Sequence, residues 1–462
     1  MGLPPERHVS NRMRRSMVAF RQSRRGLHAG SGCEPRRDCA RPSVSATLPG
    51  SRPPREGARF EGRLDEGQIP YGERTVTEVR AIYLSGAPRL STSPESESLG
   101  PRSHILGVID ALTQEDVTVE QFIVGDRSPR SFSAQGSEKR ISKGLASVVA
   151  TDVLRLVYRV KSRLELRRKV KGERFELAYE RYALFQELGS ILRGRARWVL
   201  EVNALLAIEA TTERRATTSR RLASAFERRT LQRADHIVAV TQALADQIVD
   251  TYDVDPTRII VIQNGVRPSP PEEWVPSRER PTTVGFLGAL YEWQNVDLLL
   301  RALSSQSLQH LKLEIAGEGP ELENLRKTSS RLGLDSRVSF LGRVHPDDVP
   351  MFLQGVDLCF AGHSSANGTY FSPLKLWEYL GAGRVVVASA HDATNALATD
   401  GFGVVTYASD TAVGVQAGFE EALQGYAELR ARAERGLEKV AGEYSWRARI
   451  APLMRIVAGG KT

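Results

Sequence analysis

The sequence predicts an α/β protein built from two successive parallel-sheet units that face a cleft. Three observations carry this. Short β-type runs alternate with stretches of helical period through both halves of the 462 residues. A segment with five prolines and few aliphatics, RPSPPEEWVPSRERP (267–281), reads as a linker between them. Nowhere do 18 apolar residues run together, so no membrane-spanning helix is expected.

Order begins at VRAIYLSGAP (79–88), a β-type run ending in Gly and Pro. SHILGVIDAL (103–112) follows as a helix and VEQFIVGD (119–126) as the next strand, the opening of a parallel sheet. Residues 138–170 then show a long helical period. Val149, Val153, Leu156, Val157, Val160 and Leu164 mark one face, and Arg155, Arg159, Arg163 and Arg167 step by four along another. Such a basic amphipathic helix predicts either a solvated arginine face or contact with an anionic membrane or acidic acceptor. ARWVLEVN (196–203), HIVAVT (236–241) and RIIVIQNGV (258–266) complete the first set of strands, with helices at about 213–233 and at ALADQIVDTY.

The second half restarts the alternation. TTVGFLGAL, LKLEIAGEGP, RVSFLGRV, VDLCFAG, VVVAS and GVVTYAS read as strands, and NVDLLLRAL, ELENLRKTSSRLG, VPMFLQG and SPLKLWEYLGAG as helices between them. The chain ends in helix. The boundaries that follow are 1–75, 76–266, 267–281 and 282–462. Ligands of such sheets sit beyond the carboxyl ends of the strands.

Charge needs dividing along the chain. Residues 1–70 hold 14 Arg, no Lys and 7 acids, and carry +7 of the formal +9. The body is therefore nearly neutral, which argues against a nucleic-acid binder. Residues 1–75 are rich in Arg, Pro, Gly and Ser without an apolar period, and read as a disordered segment. A tail, a transit peptide or a start site placed too early would each have this composition. Three cysteines, Cys33, Cys39 and Cys359, stand at spacings that suggest no metal site and no disulfide framework. A reducing, cytoplasmic setting is expected, with peripheral contact at the inner face of a membrane as the variant that the basic helix allows.

The richest segment is TYFSPLKLWEYLGAGRVVVAS (369–389). Ser372 caps a helix and Pro373 suits its first position. The exposed N–H groups there favour an anion such as a diphosphate. Lys375 adds a positive charge, and Glu378 could accept hydroxyl hydrogen bonds from a ribose. The alternative is a capped helix with a solvated Lys and Glu.

This segment resembles the SPLKLFEYMAAG signature of glycosyltransferase family 4. LAYERY (177–182), LEVNALL (200–206), RADHIVAVTQALAD (233–246), IVIQNGV (260–266), FLGALYEWQNVDLLLRA (286–302), IAGEGPELENLR (315–326), VSFLGRVHPDDVPMFL (338–353) and YSWRARI (444–450) extend the resemblance over roughly residues 78–455. It implies a GT-B fold with a Rossmann-like acceptor domain over 76–266. A Rossmann-like donor domain over 282–462 would send its last helix back across. It also implies retaining, metal-independent transfer from a nucleotide sugar, which is a substrate, so that no cofactor is expected.

By this resemblance Glu378 holds the donor ribose. Tyr370, Ser372, Pro373 and Leu374 line the donor sugar and diphosphate with Lys375, Gly288 admits the diphosphate, and Gly317 and Gly319 border the base. No His stands in an obvious family-like catalytic context. By position rather than by motif, His104 at the start of the first helix and Glu201 at the carboxyl end of a strand join Lys375 as candidate catalytic groups, with an ordinary helix-entry histidine as the alternative for His104. Asn203 at the same strand end, and Glu180 and Arg181 after a strand-like start, become candidate acceptor contacts, with Glu180 and Arg181 alternatively a structural ion pair. Three departures stand out. The first of the family's two glutamates is Tyr370, and the Arg and Lys that usually hold the diphosphate are Ala289 and Gln294. A non-catalytic scaffold with a weakened donor site is the alternative they raise.

Overall fold

The computed structural model describes residues 79–94, 96, 99–128, 145–212, 219–267, 277–364 and 374–458. The basic head (1–75), Cys33, Cys39, most of the proline-rich linker, and Tyr370, Ser372 and Pro373 lie outside them.

The first six strands are β1 (Val79–Ser85), β2 (Val117–Ile123), β3 (Leu177–Arg181), β4 (Arg197–Val202), β5 (His236–Ala239) and β6 (Ile259–Val261). They form a sheet in the order β2-β1-β3-β4-β5-β6, parallel at every pairing. Such a sheet is covered on both faces, and its strands show this by alternation. Ala81, Tyr83, Leu177, Tyr179, Val199 and Val238 enter one core, while Ile82, Leu84, Phe122 and Ala178 enter another on the opposite side. The helices are α1 (Leu99–Gln114), α2 (Leu145–Lys169), α3 (Leu206–Thr212), α4 (Arg220–Arg233) and α5 (Gln242–Tyr252). Ser219 and Thr241 cap α4 and α5 by accepting from Leu222 N and Leu244 N.

The second six are β7 (Thr283–Leu287), β8 (Lys312–Ala316), β9 (Val338–Gly342), β10 (Leu358–Ala361), β11 (Val385–Ser389) and β12 (Val404–Tyr407). Their order, β12-β11-β10-β7-β8-β9, is again parallel throughout. The intervening helices are α6 (Val296–Leu303), α7 (Leu322–Arg331), α8 (Val349–Gly355), α9 (Leu374–Gly381), α10 (Asp392–Thr399) and α11 (Ala412–Gln424). The closing pair is α12 (Tyr426–Glu443) and α13 (Trp446–Ala458). The α/β two-sheet architecture expected from the alternation is the one observed. Both sheets lie in one compact unit, Glu78–Thr462.

Two features join the halves. Helix α13 belongs by packing to the first sheet: Trp446, Ile450 and Leu453 share a core with Ile105, Val108 and Tyr179. Trp446 comes so close to α1 that a Cβ on Gly107 would lie 2.3 Å from its indole nitrogen. The backbone is stitched at the same place, Val266 N donating to Tyr444 O and Trp446 N to Val266 O. The second feature is the approach of α1 to α9. A Cβ on Gly100 would stand 3.8 Å from Leu374, so the first turns of the two helices face each other.

The long basic helix is inverted relative to expectation. Arg155, Arg159 and Arg163 turn inward, not to solvent. Arg159 lies 3.3 Å from Glu187 and over the Phe226 ring, and Arg163 donates to Glu187 O and to Ser190 Oγ. The cause is Glu187, a fully buried carboxylate that also takes Arg233 at 2.6 Å. A buried charge needs partners, and Arg159 and Arg233 supply them, while Arg163 binds the backbone carbonyl of the same residue. Of the four, Arg167 alone is exposed.

Candidate active site at the two sheet crossovers

In each sheet the strand order reverses once, between β1 and β3 in the first and between β7 and β10 in the second. Open α/β sheets leave a crevice at such a point, beyond the carboxyl ends of the strands. The candidate residues gather at these two places.

At the first, Glu201 near the end of β4 is the hub. His104, one turn into α1, places Nε2 2.8 Å from Glu201 Oε2 and Nδ1 2.8 Å from Asn264 Oδ1. The Tyr179 hydroxyl donates to the same carboxylate at 2.7 Å, Arg181 at 2.6 Å, and the Asn203 amide completes the set. Burial would push the Glu201 carboxyl up. The charges of His104 and Arg181, with hydrogen bonds from His104 and Asn203, outweigh it and hold the group ionised, well below the usual carboxylate range. The Trp446 indole closes the network, edge-on to the His104 ring at 4.8 Å.

This geometry corrects two expectations. His104 and Glu201 are 4% and 1% exposed and bound to each other, so neither ring nitrogen faces open space. Their polar atoms are spent on each other and on Asn264, Tyr179, Arg181 and Asn203. Glu180 and Arg181 form no ion pair, because adjacent residues of a strand point to opposite faces. Arg181 reaches Glu201, whereas Glu180 is fully buried on the other face and accepts from Leu188 N and Gly189 N. Burial raises Glu180 to about 7 against those two hydrogen bonds. It braces the turn after β3 and cannot contact an acceptor. Arg181 and Asn203 are the partly exposed members of the network.

At the second crossover, α9 carries Lys375 and Glu378 one turn apart, on the same side of the helix. The Lys375 ammonium sits 4.2 Å from the centre of the Phe286 ring in β7. It also lies beside Gly288, where a Cβ would stand 3.5 Å from Nζ. Gly288 has φ +138°, a conformation that other residues rarely adopt. Lys375 donates to Gln294 Oε1. The position left without a lysine by resemblance is thus filled by an amide that orients the lysine still present. Burial lowers Lys375 to about 7, opposed by Glu378, and burial raises Glu378 to about 7, opposed by Lys375. Among the described residues the half-buried Glu378 carboxylate accepts no hydrogen bond.

Gly317 and Gly319 have a different reason to be glycine than a bordering base. A Cβ on Gly317 would fall 1.8 Å from Gly288 O, and one on Gly319 2.4 Å from Leu290 O. The loops after β7 and β8 are zipped together, Gly288 N donating to Ala316 O and Leu290 N to Glu318 O. These glycines let one loop lie on the other.

Sequence reasoning passed over four residues. Tyr179 and Asn264 complete the Glu201 network, and Tyr179 is legible as the residue two before Arg181 on a strand, hence on its face. Trp446 stands in the YSWRARI run, but sequence gives no distance between that run and His104. Tyr379 fixes α9 above the crossover, its hydroxyl accepting from Leu287 N at 2.8 Å and donating to Phe360 O at 3.4 Å.

Comparison with known proteins adds the family. Residues 100–269 match the model described as Glycosyltransferase Family 4, and residues 281–424 that described as Glycosyl transferases group 1. A D-inositol 3-phosphate glycosyltransferase from Mycobacterium sp. (strain JLS) is 29% identical over 146 residues, 29% of this chain. That alignment spans 33% of the relative, so the chain matches about a third of its length. Sucrose-phosphate synthase from Thermosynechococcus elongatus is similar in fold, with a TM-score of 0.63 at 14% identity, over 83% of this chain and all of that one. Anabaena HepE, solved with UDP, gives 0.54 at 15% over 83% and 100%. With its two family matches in chain order and its two parallel sheets, the chain belongs to glycosyltransferase family 4 and has the GT-B fold.

Proposed function

We propose that the protein transfers a sugar from a nucleotide sugar to an acceptor hydroxyl with retention of configuration, and that the donor lies at the β7/β10 crossover. One observation carries the reading. Glu378, a half-buried carboxylate with no hydrogen-bond partner among the described residues, shares an α9 face with the buried ammonium of Lys375. A nucleoside diphosphate supplies what both lack: ribose hydroxyls for the carboxylate and phosphate oxygens for the ammonium. As the donor bond breaks, charge grows on the leaving diphosphate, and Lys375 with the first N–H groups of α9 meets it. The proton of the attacking hydroxyl passes to a leaving phosphate oxygen on the same face, which yields retention. Arg181 and Asn203 are where an acceptor would meet the first network, with His104 and Glu201 holding them in place.

Glu378→Gln should weaken nucleoside and nucleotide binding alike in calorimetric titration. Lys375→Ala should spare the nucleoside and weaken the diphosphate by roughly 1.5–3 kcal/mol, the range for a charged hydrogen bond. Unchanged binding in both variants would move the donor elsewhere. The second reading, a scaffold without turnover, draws on Ala289 and Gln294 standing where relatives carry cations. Nucleotide binding without transfer or donor hydrolysis would favour it.

A further inference from the structure

We propose that α2 is a membrane-docking helix that lays its apolar face on an anionic lipid surface. The proposal does not depend on sugar transfer. It comes from the inversion of that helix. With Arg159 and Arg163 consumed by the inner contacts and Arg155 paired with Asp152 on the same helix, the side left facing out is apolar. Val153, Leu154, Leu156, Val157, Val160 and Leu164 are between 37% and 61% exposed. They are six of the eight large hydrophobic side chains exposed among the described residues, and the other two, Leu222 and Val413, stand on separate helices. A row stepping three or four residues along one helix is a continuous stripe, not scatter. Contiguous exposed apolar surface of this kind marks an interaction site.

The charges around the stripe select the occupant. The same outward side continues past Leu164 into Arg167 and Arg168, and the segment after the helix carries Lys171 and Arg174; all four are exposed and without an ion-pair partner among the described residues. Of the other exposed lysines, Lys161 makes only a loose pair with Glu165 at 3.9 Å, and Lys169 is paired with Glu120 at 3.2 Å. Apolar side chains bordered by unpaired cations, on a helix 25 residues long, suit the headgroup boundary of an anionic bilayer. There the side chains enter the acyl edge and the cations meet phosphate. Pairing with a second copy of the chain would instead bring the two sets of cations into one neighbourhood without a counter-charge. The helix lies on the surface and does not span: among the described residues no helix is long and apolar enough to cross a membrane.

Sedimentation of the full chain with vesicles tests this. Wild-type protein should pellet with phosphatidylcholine vesicles containing phosphatidylglycerol, stay in the supernatant with phosphatidylcholine alone, and be released by salt. The triple variant V153S/V157S/V160S changes only exposed side chains and should fold as wild type. Its partitioning should fall by about tenfold or more, as buried apolar area sets binding strength. R167E/R168E/K171E should lose on the order of a hundredfold, at about 1 kcal/mol per cation near the surface. Val157→Trp should add a tryptophan emission that shifts to the blue with anionic vesicles only. Wild type remaining in the supernatant overturns the proposal. So does a serine variant that pellets like wild type, which would place lipid contact elsewhere. A wild-type dimer that the serine variant reduces to monomer would give the stripe to a second copy and overturn it as well.

Discussion

The two crossovers use the same topology for opposite electrostatic ends. At β1/β3 the carboxylate of Glu201 is surrounded by His104, Arg181, Tyr179 and Asn203, and each partner already has its bond. At β7/β10 the half-buried carboxylate of Glu378 stands one turn from the buried ammonium of Lys375, and one amide, that of Gln294, supports the ammonium alone. Solvation explains the difference. A charge taken from water is stable in its ordinary state only if the protein rebuilds its partners. The first site has rebuilt them, so Glu201 stays ionised. The second has not, so burial pushes both groups toward their neutral forms. On the reading proposed above, a bound nucleotide is what completes the second network.

The comparison breaks most easily at Glu201. Glu201→Ala would leave His104 and Arg181 buried without their shared counter-charge. Loss of one partner from a buried ion pair costs about 3–5 kcal/mol. Urea unfolding should show a loss of this size. A loss below about 1 kcal/mol would mean that the network is not the finished structure described here.

Lys375→Met is the matching test at the unfinished site, with the opposite sign for stability. A buried lysine whose charged form is disfavoured opposes folding, so an apolar chain of similar length should raise the unfolding midpoint. The same change should weaken nucleoside diphosphate binding by roughly 1.5–3 kcal/mol. A variant both less stable and unchanged in binding would make Lys375 an ordinary structural lysine.

Much of this was legible beforehand, and the gaps have physical causes. Strand and helix periods report burial, and the central strands of a two-sided parallel sheet are buried on both faces, so the alternation of short apolar runs with helical periods located the elements. Lys375 and Glu378 were readable because three residues on a helix is a local distance. The Glu201 hub was only half readable. Its members come from β3, β4, α1, the turn after β6 and α13, and sequence gives no distance between such segments. The arginine face of α2 was misplaced for a related reason. Period separates two faces of a helix but does not say which is inside. Here Glu187 decides it, its buried carboxylate pairing with Arg159 and its backbone carbonyl accepting from Arg163.

The pair also sets a pH dependence that sharpens the comparison. Glu378 is raised from 4.5 to about 7, so the folded state holds its proton longer, and that stabilisation is lost as pH rises through this window. Lys375 is lowered from 10.5 to about 7, so the unfolded state holds more protons above neutrality, and stability rises with pH there. Together they predict a stability minimum near neutral pH. The double variant Lys375→Met with Glu378→Gln should flatten it in urea unfolding measured across pH. A minimum of the same depth in the double variant would assign it to other groups.

Diphosphate affinity gives the finest test, through Gln294. Binding needs the charged form of Lys375, so affinity should fall as pH rises through about 7, and binding above that pH should take up a proton. The uptake appears in calorimetry as heat that changes with the ionisation enthalpy of the buffer. Gln294 Oε1 accepts from the ammonium, a bond that favours its charged form. Gln294→Ala removes the bond and leaves the burial. The midpoint of the affinity profile should then move down by about one unit, equivalent to about 1.4 kcal/mol. Nucleoside binding, which rests on Glu378, should keep its affinity at any pH well below the window. A midpoint that stays in place would show that Gln294 merely touches Lys375. A midpoint that moves up would mean that the amide had been holding the lysine neutral, and the account of how this site compensates for its missing cation would be reversed.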